Sequence, residues 1–164
     1  MKRPGQLLLI AVAFDIYWAL VVMFRERGLL LWLALAILAF LMLSPVQRRY
    51  ALLLAIMGCA LDMVWVLTGL IAFNSELLFP LWMVALWLMF ATVWTWLTSI
   101  STLSRSKLVL LATLGGPAAY VIGEHLGAIT FLMPAAIVLS EMVVGWLVLM
   151  LFFHVLIRRP SCVR

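Results

Sequence analysis

Residues 51–73 read ALLLAIMGCALDMVWVLTGLIAF, and this stretch decides the fold. It holds a single charged residue, Asp62, near its middle. A helix of this length rises more than about 30 Å at about 1.5 Å per residue, enough to cross the hydrocarbon core of a bilayer. Such a run inside a soluble domain would need an apolar shell that a chain of this size cannot supply.

The rest of the sequence repeats the pattern. Comparable apolar runs occur at Gln6–Phe24, Gly28–Ser44, Pro80–Ile100, Leu108–Gly127 and Phe131–Ile157. Of the 164 residues, 68% are hydrophobic and 10% charged. Soluble domains sit near half apolar and a quarter charged, so the solvent of this chain is lipid. The expected fold is all-α: one polytopic membrane bundle of six transmembrane helices, occupying residues 1–164 as a single domain. Ser44-Pro45 is a natural stop for the second helix. Gly115-Gly116-Pro117 predicts a kink or break in the fifth. Pro134 falls in the first turn of the sixth, where proline is tolerated. Met1-Lys2-Arg3 resembles the start of a signal peptide. Asp15 interrupts the run behind it and no small-x-small site follows, so it reads as a retained helix.

The net charge of +5 is not a nucleic-acid signal, because the basic residues sit in short loops and at the ends. With the N-terminus inside, the cytoplasmic pieces carry Lys2, Arg3, Arg48, Arg49, Arg105, Lys107, Arg158, Arg159 and Arg164. The outer pieces carry Arg25 and Arg27. This positive-inside bias places both termini in the cytoplasm and the chain in a bacterial inner membrane. No sequence repeat is evident. Two sets of three helices would run in opposite directions, as in inverted-repeat transporters, but the halves share no clear motif.

Three acids lie at similar depth: Asp15 in the first helix, Asp62 in the third and Glu141 in the sixth. Charge in lipid is costly and usually has a role, and no Lys or Arg lies at that depth. The acids can be neutral hydrogen-bonding glue between helices, or a protonatable or ligand-binding centre. Trp18 and Trp65 each follow an acid by three residues and share its helix face, where an indole N–H can donate to a carboxylate on a neighbouring helix. Gly58, Cys59, Asp62, Trp65 and Gly69 share one face and favour close packing.

Trp87 and Trp94 share a face with Met83 and Phe90, a stripe that suits lipid contact or a flat apolar pocket. Trp82 and Trp96 read as interfacial anchors. His125 and His154 fall at opposite ends, both at interfaces, so neither a metal site nor a haem is expected, and no cofactor is called for. Cys59 and Cys162 lie at different depths and do not suggest a disulfide. There is no GxSxG, HExxH, P-loop or CxxC.

Several of these stretches resemble one family. Leu61-Asp62, Pro80-Leu81-Trp82, Leu86-Trp87-x-x-Phe90-Ala91-Thr92 and above all Gly115-Gly116-Pro117-x-x-Tyr120-x-x-Gly123-x-x-x-Gly127-Ala128 are similar to a small bacterial inner-membrane family known only as a domain of unknown function. The likeness runs from Phe14-x-x-x-Trp18 into the sixth helix. It implies that Asp62, Trp87, Pro117 and Tyr120 are family features. An amide is more usual in that family where Asp15 stands here, and Glu124-His125 is not characteristic. The resemblance also implies a link to enzymes that modify membrane fatty acids, near which such proteins are often encoded.

The candidate binding residues are therefore Asp15, Asp62, Glu141 and Tyr120, with Trp18, Trp65, Trp87, Trp94 and Pro117 as candidate pocket lining. The first functional expectation is a bundle that binds a lipid-like or other hydrophobic molecule, or assists a lipid-modifying membrane partner, alone or as a homo-oligomer. The second is a small transporter, proton-coupled or carrying a cation, using the intramembrane carboxylates. A membrane-embedded enzyme is third, since no nucleophile or metal motif supports it.

Overall fold

Ser44 sets the register of the first half of the chain. Its hydroxyl accepts from the Gln47 backbone N–H, and the Gln47 side chain accepts from the Ser44 backbone N–H, a capping box with Pro45 in the first turn behind it. The helix it opens, α3, runs Pro45–Leu67. A computed structural model describes residues 4–101 and 103–157. Lys2, Arg3, Arg158, Arg159, Cys162 and Arg164, which enter the charge and cysteine readings above, lie outside the described residues.

Before α3 come α1 (Pro4–Phe24), a 3-10 turn (Arg25–Gly28) and α2 (Leu29–Leu41). After it come β1 (Ile71–Phe73), α4 (Leu81–Ile100), α5 (Arg105–His125), β2 (Ile129–Phe131) and α6 (Ala135–Ile157). Among the described residues, five helical segments are long and apolar enough to cross a membrane: Leu8–Leu41, Pro45–Leu67, Leu81–Ile100, Arg105–His125 and Ala135–Ile157. The first holds α1 and α2 together, with the chain turning at Arg25, whose φ of 45° is left-handed.

The expected span Gly28–Ser44 is thus a helix of 13 residues. At about 1.5 Å per residue it rises about 20 Å, short of the bilayer core. The Arg48 guanidinium donates to the carbonyls of Leu41 and Leu43, ending α2 before the Ser44 cap. Two other boundaries shift. The expected run Ala51–Phe73 begins earlier and stops at Leu67, and the run Phe131–Ile157 starts its helix at Ala135. Ile71–Phe73 from the first run and Phe131 from the second pair in strands instead. Ile71 faces Phe131, Ala72 faces Thr130 and Phe73 faces Ile129 in an antiparallel ladder.

The ladder exposes a repeat that hydropathy conceals. α3 and α5 end alike: Gly69 (φ 71°) and Gly127 (φ 69°) adopt left-handed backbone. Leu70 and Ala128 return their N–H groups to Trp65 and Gly123 carbonyls, closing two Schellman turns. A strand follows each, then a proline, then α4 or α6. The two helix–strand–helix units run in the same direction, and β1 pairs with β2 at their meeting point. α3 packs on α4 and α5 on α6, while α3 also packs on α6. The matching contact of α4 with α5 is missing or marginal. α1 and α2 lie against α4.

The connections after α1, α3 and α5 meet at one end of the bundle. Arg25 donates to the Gly127 carbonyl at 2.7 Å, and Asn74 donates to the same carbonyl at 3.0 Å. Thr130 donates to Asn74, while Ser75 and Trp82 both donate to the Glu26 carboxylate. At the other end, Gln47 in the first turn of α3 donates to Ser99 in the last turn of α4.

Candidate functional site

Asp62 is fully buried, about three-quarters of the way along α3. The Trp87 indole N–H of α4 donates to its Oδ2 at 2.7 Å, and the Tyr120 hydroxyl of α5 donates to Oδ1. Three helices converge on one carboxylate, which satisfies the rule that buried charge be paired or hydrogen-bonded. Tyr120 and Asp62 are 58 residues apart. The same spacing separates Gly116 from Gly58 and Gly127 from Gly69, so the two partners occupy matching places in the two units.

The glycines explain how the indoles reach the centre. A Cβ on Gly58 would strike the Trp87 ring, and one on Gly116 would strike the Trp146 ring. A Cβ on Gly145 would press on Trp65 and Leu61. The Trp87 and Trp146 rings each lie over a seat left by a missing side chain, the small-residue logic of membrane helix packing. Trp87 and Trp146 then stack with centroids 5.2 Å apart and planes at 22°. Phe90 stands edge-on to both and stacks on Trp94 at 5.5 Å. Trp65 meets Tyr120 edge-on at 5.6 Å.

This aromatic wall is one side of a cavity of about 660 Å³. α1 supplies Phe14, Asp15 and Trp18; α4 supplies Met83, Trp87, Phe90 and Trp94. α5 supplies Gly115, Ala119 and Tyr120, and Trp146 of α6 forms the back. The lining on α4 extends from Trp82 to Leu97, about 22 Å along the axis. Ala128 and Ile129 close it at the ladder end. Contact between α1 and α5 is missing or marginal, and their flanking residues Ala11, Asp15, Leu111 and Ala118 are exposed. The cavity is a cleft opening sideways between α1 and α5. It lies where α4 and α5 make at most marginal contact.

The three acids therefore have three surroundings. Asp62 is sealed behind Trp87 and Tyr120, Asp15 lines the cleft, and Glu141 is exposed on the outer face of α6, away from the lining. Shared depth does not bring them together, because α1, α3 and α6 present different faces to the centre. Trp18, Trp87 and Trp94 line the cleft with Tyr120; Trp65 and Pro117 are buried outside it. The donor to Asp62 is Trp87, not Trp18 or Trp65. Pro117 does not interrupt α5, which runs unbroken through it, packed against α6.

Trp82 is no interfacial anchor, being 1% exposed with its N–H on Glu26. His154 is buried, with Nδ1 on the Met150 carbonyl, while His125 is exposed at the end of α5. Among the described residues no three His, Cys, Asp or Glu side chains come together in a metal-binding group.

A family model described as "Protein of unknown function (DUF2878)" matches residues 7–152. The chain belongs to the DUF2878 family. No curated protein and no solved structure matches it. The DUF2878 match takes in Asp62, Trp87, Tyr120, Trp146 and the cleft lining from Ala11 onward. Trp146 and Phe14 are cleft residues that sequence reasoning passed over. The 58-residue spacing pairs Gly58 with Gly116 but takes Trp87 to Gly145, so it marks the second glycine seat and not the Trp146 ring that fills it.

Proposed function

We propose that this DUF2878 protein is a multi-pass protein of a bacterial cytoplasmic membrane whose cleft takes up a lipid-like molecule from the bilayer. The observation that carries the reading is the cleft itself: about 660 Å³, walled by aromatic rings, elongated along the helices and open to one side. Its volume falls in the range of small-molecule sites, and its lining is apolar with few polar groups, as such sites are. A chain lying parallel to α4 fits the length, and the gap between α1 and α5 offers entry without passage through water.

The proposed topology has six crossings with both ends inside. It rests on the placement of basic residues and on the meeting of the connections after α1, α3 and α5 at one end. α2, with 13 residues, is accommodated by local thinning of the bilayer.

Asp62 serves this function as a positioning residue. It orients Trp87 and Tyr120, both of which line the cleft. A photo-reactive benzoylphenylalanine tests the reading in native membranes. Placed at Ala119, in the lining, it should capture one dominant apolar species. Placed at Val148, 60% exposed on α6, it should capture bulk lipid. Identical products at the two positions would count against a selective cleft.

A further inference from the structure

The polar groups of the cleft are unevenly distributed. Among the described residues, Asp15 is the one acid in its lining, and no Lys, Arg or His lines it. Three of its neutral donors are spent: the Trp87 N–H and the Tyr120 hydroxyl are both on Asp62, and the Trp82 N–H is on Glu26, which leaves the half-buried Trp18 indole as the donor still free among the described residues. The Trp94 and Trp146 N–H groups are buried without partners. They have no accessible surface from which to reach an occupant. An anionic head would thus find the Asp15 carboxylate, no cationic side chain and one neutral donor, the Trp18 N–H, among the described residues.

A basic nitrogen would find the reverse. Asp15 stands in the middle third of α1, beside Phe14, whose ring meets Phe90 at 6.1 Å. Trp18 follows one turn on, and Phe90 stacks on Trp94. Aromatic faces attract ammonium groups, most strongly where water is excluded. A carboxylate at membrane depth costs about 2.5–3.5 kcal/mol without a partner, and a ligand cation would supply one. Asp62 cannot share this role because both its oxygens are engaged, and Glu141 is outside the cleft.

We propose that the occupant is an amphipathic amine: an apolar chain or ring system bearing one ammonium group, which sits on Asp15 between the rings of Phe14, Trp18 and Phe90. This rests on the cleft-binding reading above and adds the chemistry of the head group. Three probes of equal chain length separate the two: hexadecylamine, hexadecanol and hexadecanoate, titrated into the whole protein in maltoside micelles with tryptophan fluorescence as the readout.

The amine should bind about tenfold or more tighter than the alcohol, and the carboxylate weakest. In Asp15→Asn the amine preference should fall to near unity while alcohol binding is kept, which also reports an intact fold. Gly115→Phe, which fills the cleft, should abolish binding of all three. Alcohol binding blocked by Gly115→Phe but with no amine preference, or a preference that survives Asp15→Asn, overturns the head-group assignment alone. Binding of no probe, or binding untouched by Gly115→Phe, overturns the cleft reading and this proposal with it.

Discussion

Trp87 donates its indole N–H to Asp62 at 2.7 Å, and the same indole lies over the bare backbone of Gly58 on the same helix as Asp62. One ring thereby joins α3 to α4 twice, once by a hydrogen bond and once by shape. Tyr120 brings α5 to the other carboxylate oxygen, so a single acid sets the positions of two rings that wall the cleft.

Removing that acid should be costly. Asp62→Ala leaves the Trp87 and Tyr120 donors buried without partners, a loss of about 2–4 kcal/mol. Tyr120→Phe removes a donor but leaves Trp87 in place, and should cost about 1 kcal/mol. Thermal unfolding in detergent should rank Asp62→Ala well below Tyr120→Phe. Equal midpoints would contradict the shared-acceptor account.

Adjacent glycines of α5 should behave oppositely. A Cβ at Gly116 meets the Trp146 ring, whereas one at Gly115 meets nothing within 4 Å. Gly116→Ala should therefore destabilise the protein by about 1–3 kcal/mol through overpacking. Gly115→Ala should be neutral or slightly stabilising, as expected for alanine in an open helical position. Gly58→Ala, which meets Trp87, should follow Gly116→Ala. The check is the melting temperature of the three variants side by side.

The polar cap should respond to acid. Partial burial pushes the Glu26 carboxyl up, but hydrogen bonds from Ser75, its own backbone and Trp82, with Arg25 nearby, outweigh this and hold it below its ordinary range. A group whose pKa is lower folded than unfolded stabilises the fold above the unfolded value, and that contribution is lost as pH falls through the folded one. Stability should thus decline on the acid side, below the ordinary carboxyl range. Glu26→Gln should be less stable near neutrality and should lack that part of the acid-side decline. A parallel pH profile for the variant would remove Glu26 from the cap.

Topology is open to labelling. Single cysteines at Ser75 and Ser99, on a background with Cys59 and Cys162 replaced, lie at opposite ends of the bundle. In intact cells an impermeant maleimide should label the first and spare the second. The reverse pattern would invert the proposed orientation.

Much of this fold was legible in the apolar runs, because lipid leaves a helix few choices about its backbone. Those runs do not mark where α3 stops, since Gly69, Leu70 and Ile71 are as apolar as the helix before them. Only the pairing of Ile71–Phe73 with Ile129–Phe131 separates strand from span. α2 was overestimated for a related reason: hydropathy ignores the left-handed Arg25 and the Arg48 side chain that bracket it. Within the site, Asp62, Tyr120 and Trp87 stood out by residue type. Their convergence did not, because it depends on glycine seats that acquire meaning only when the facing rings are known. Glu141 shows the limit of depth as evidence, for depth along a helix says nothing about the face presented.

The central claim is that the cleft between α1 and α5 holds a lipid-like molecule, and native mass spectrometry of gently extracted protein tests it most directly. The wild-type chain should carry one apolar adduct per copy that persists when bulk lipid is stripped. Gly115→Phe, which places a ring in the cleft, should lack it while keeping a wild-type-like melting temperature. A wild-type protein with no retained adduct, or the same adduct on Gly115→Phe, would contradict the account.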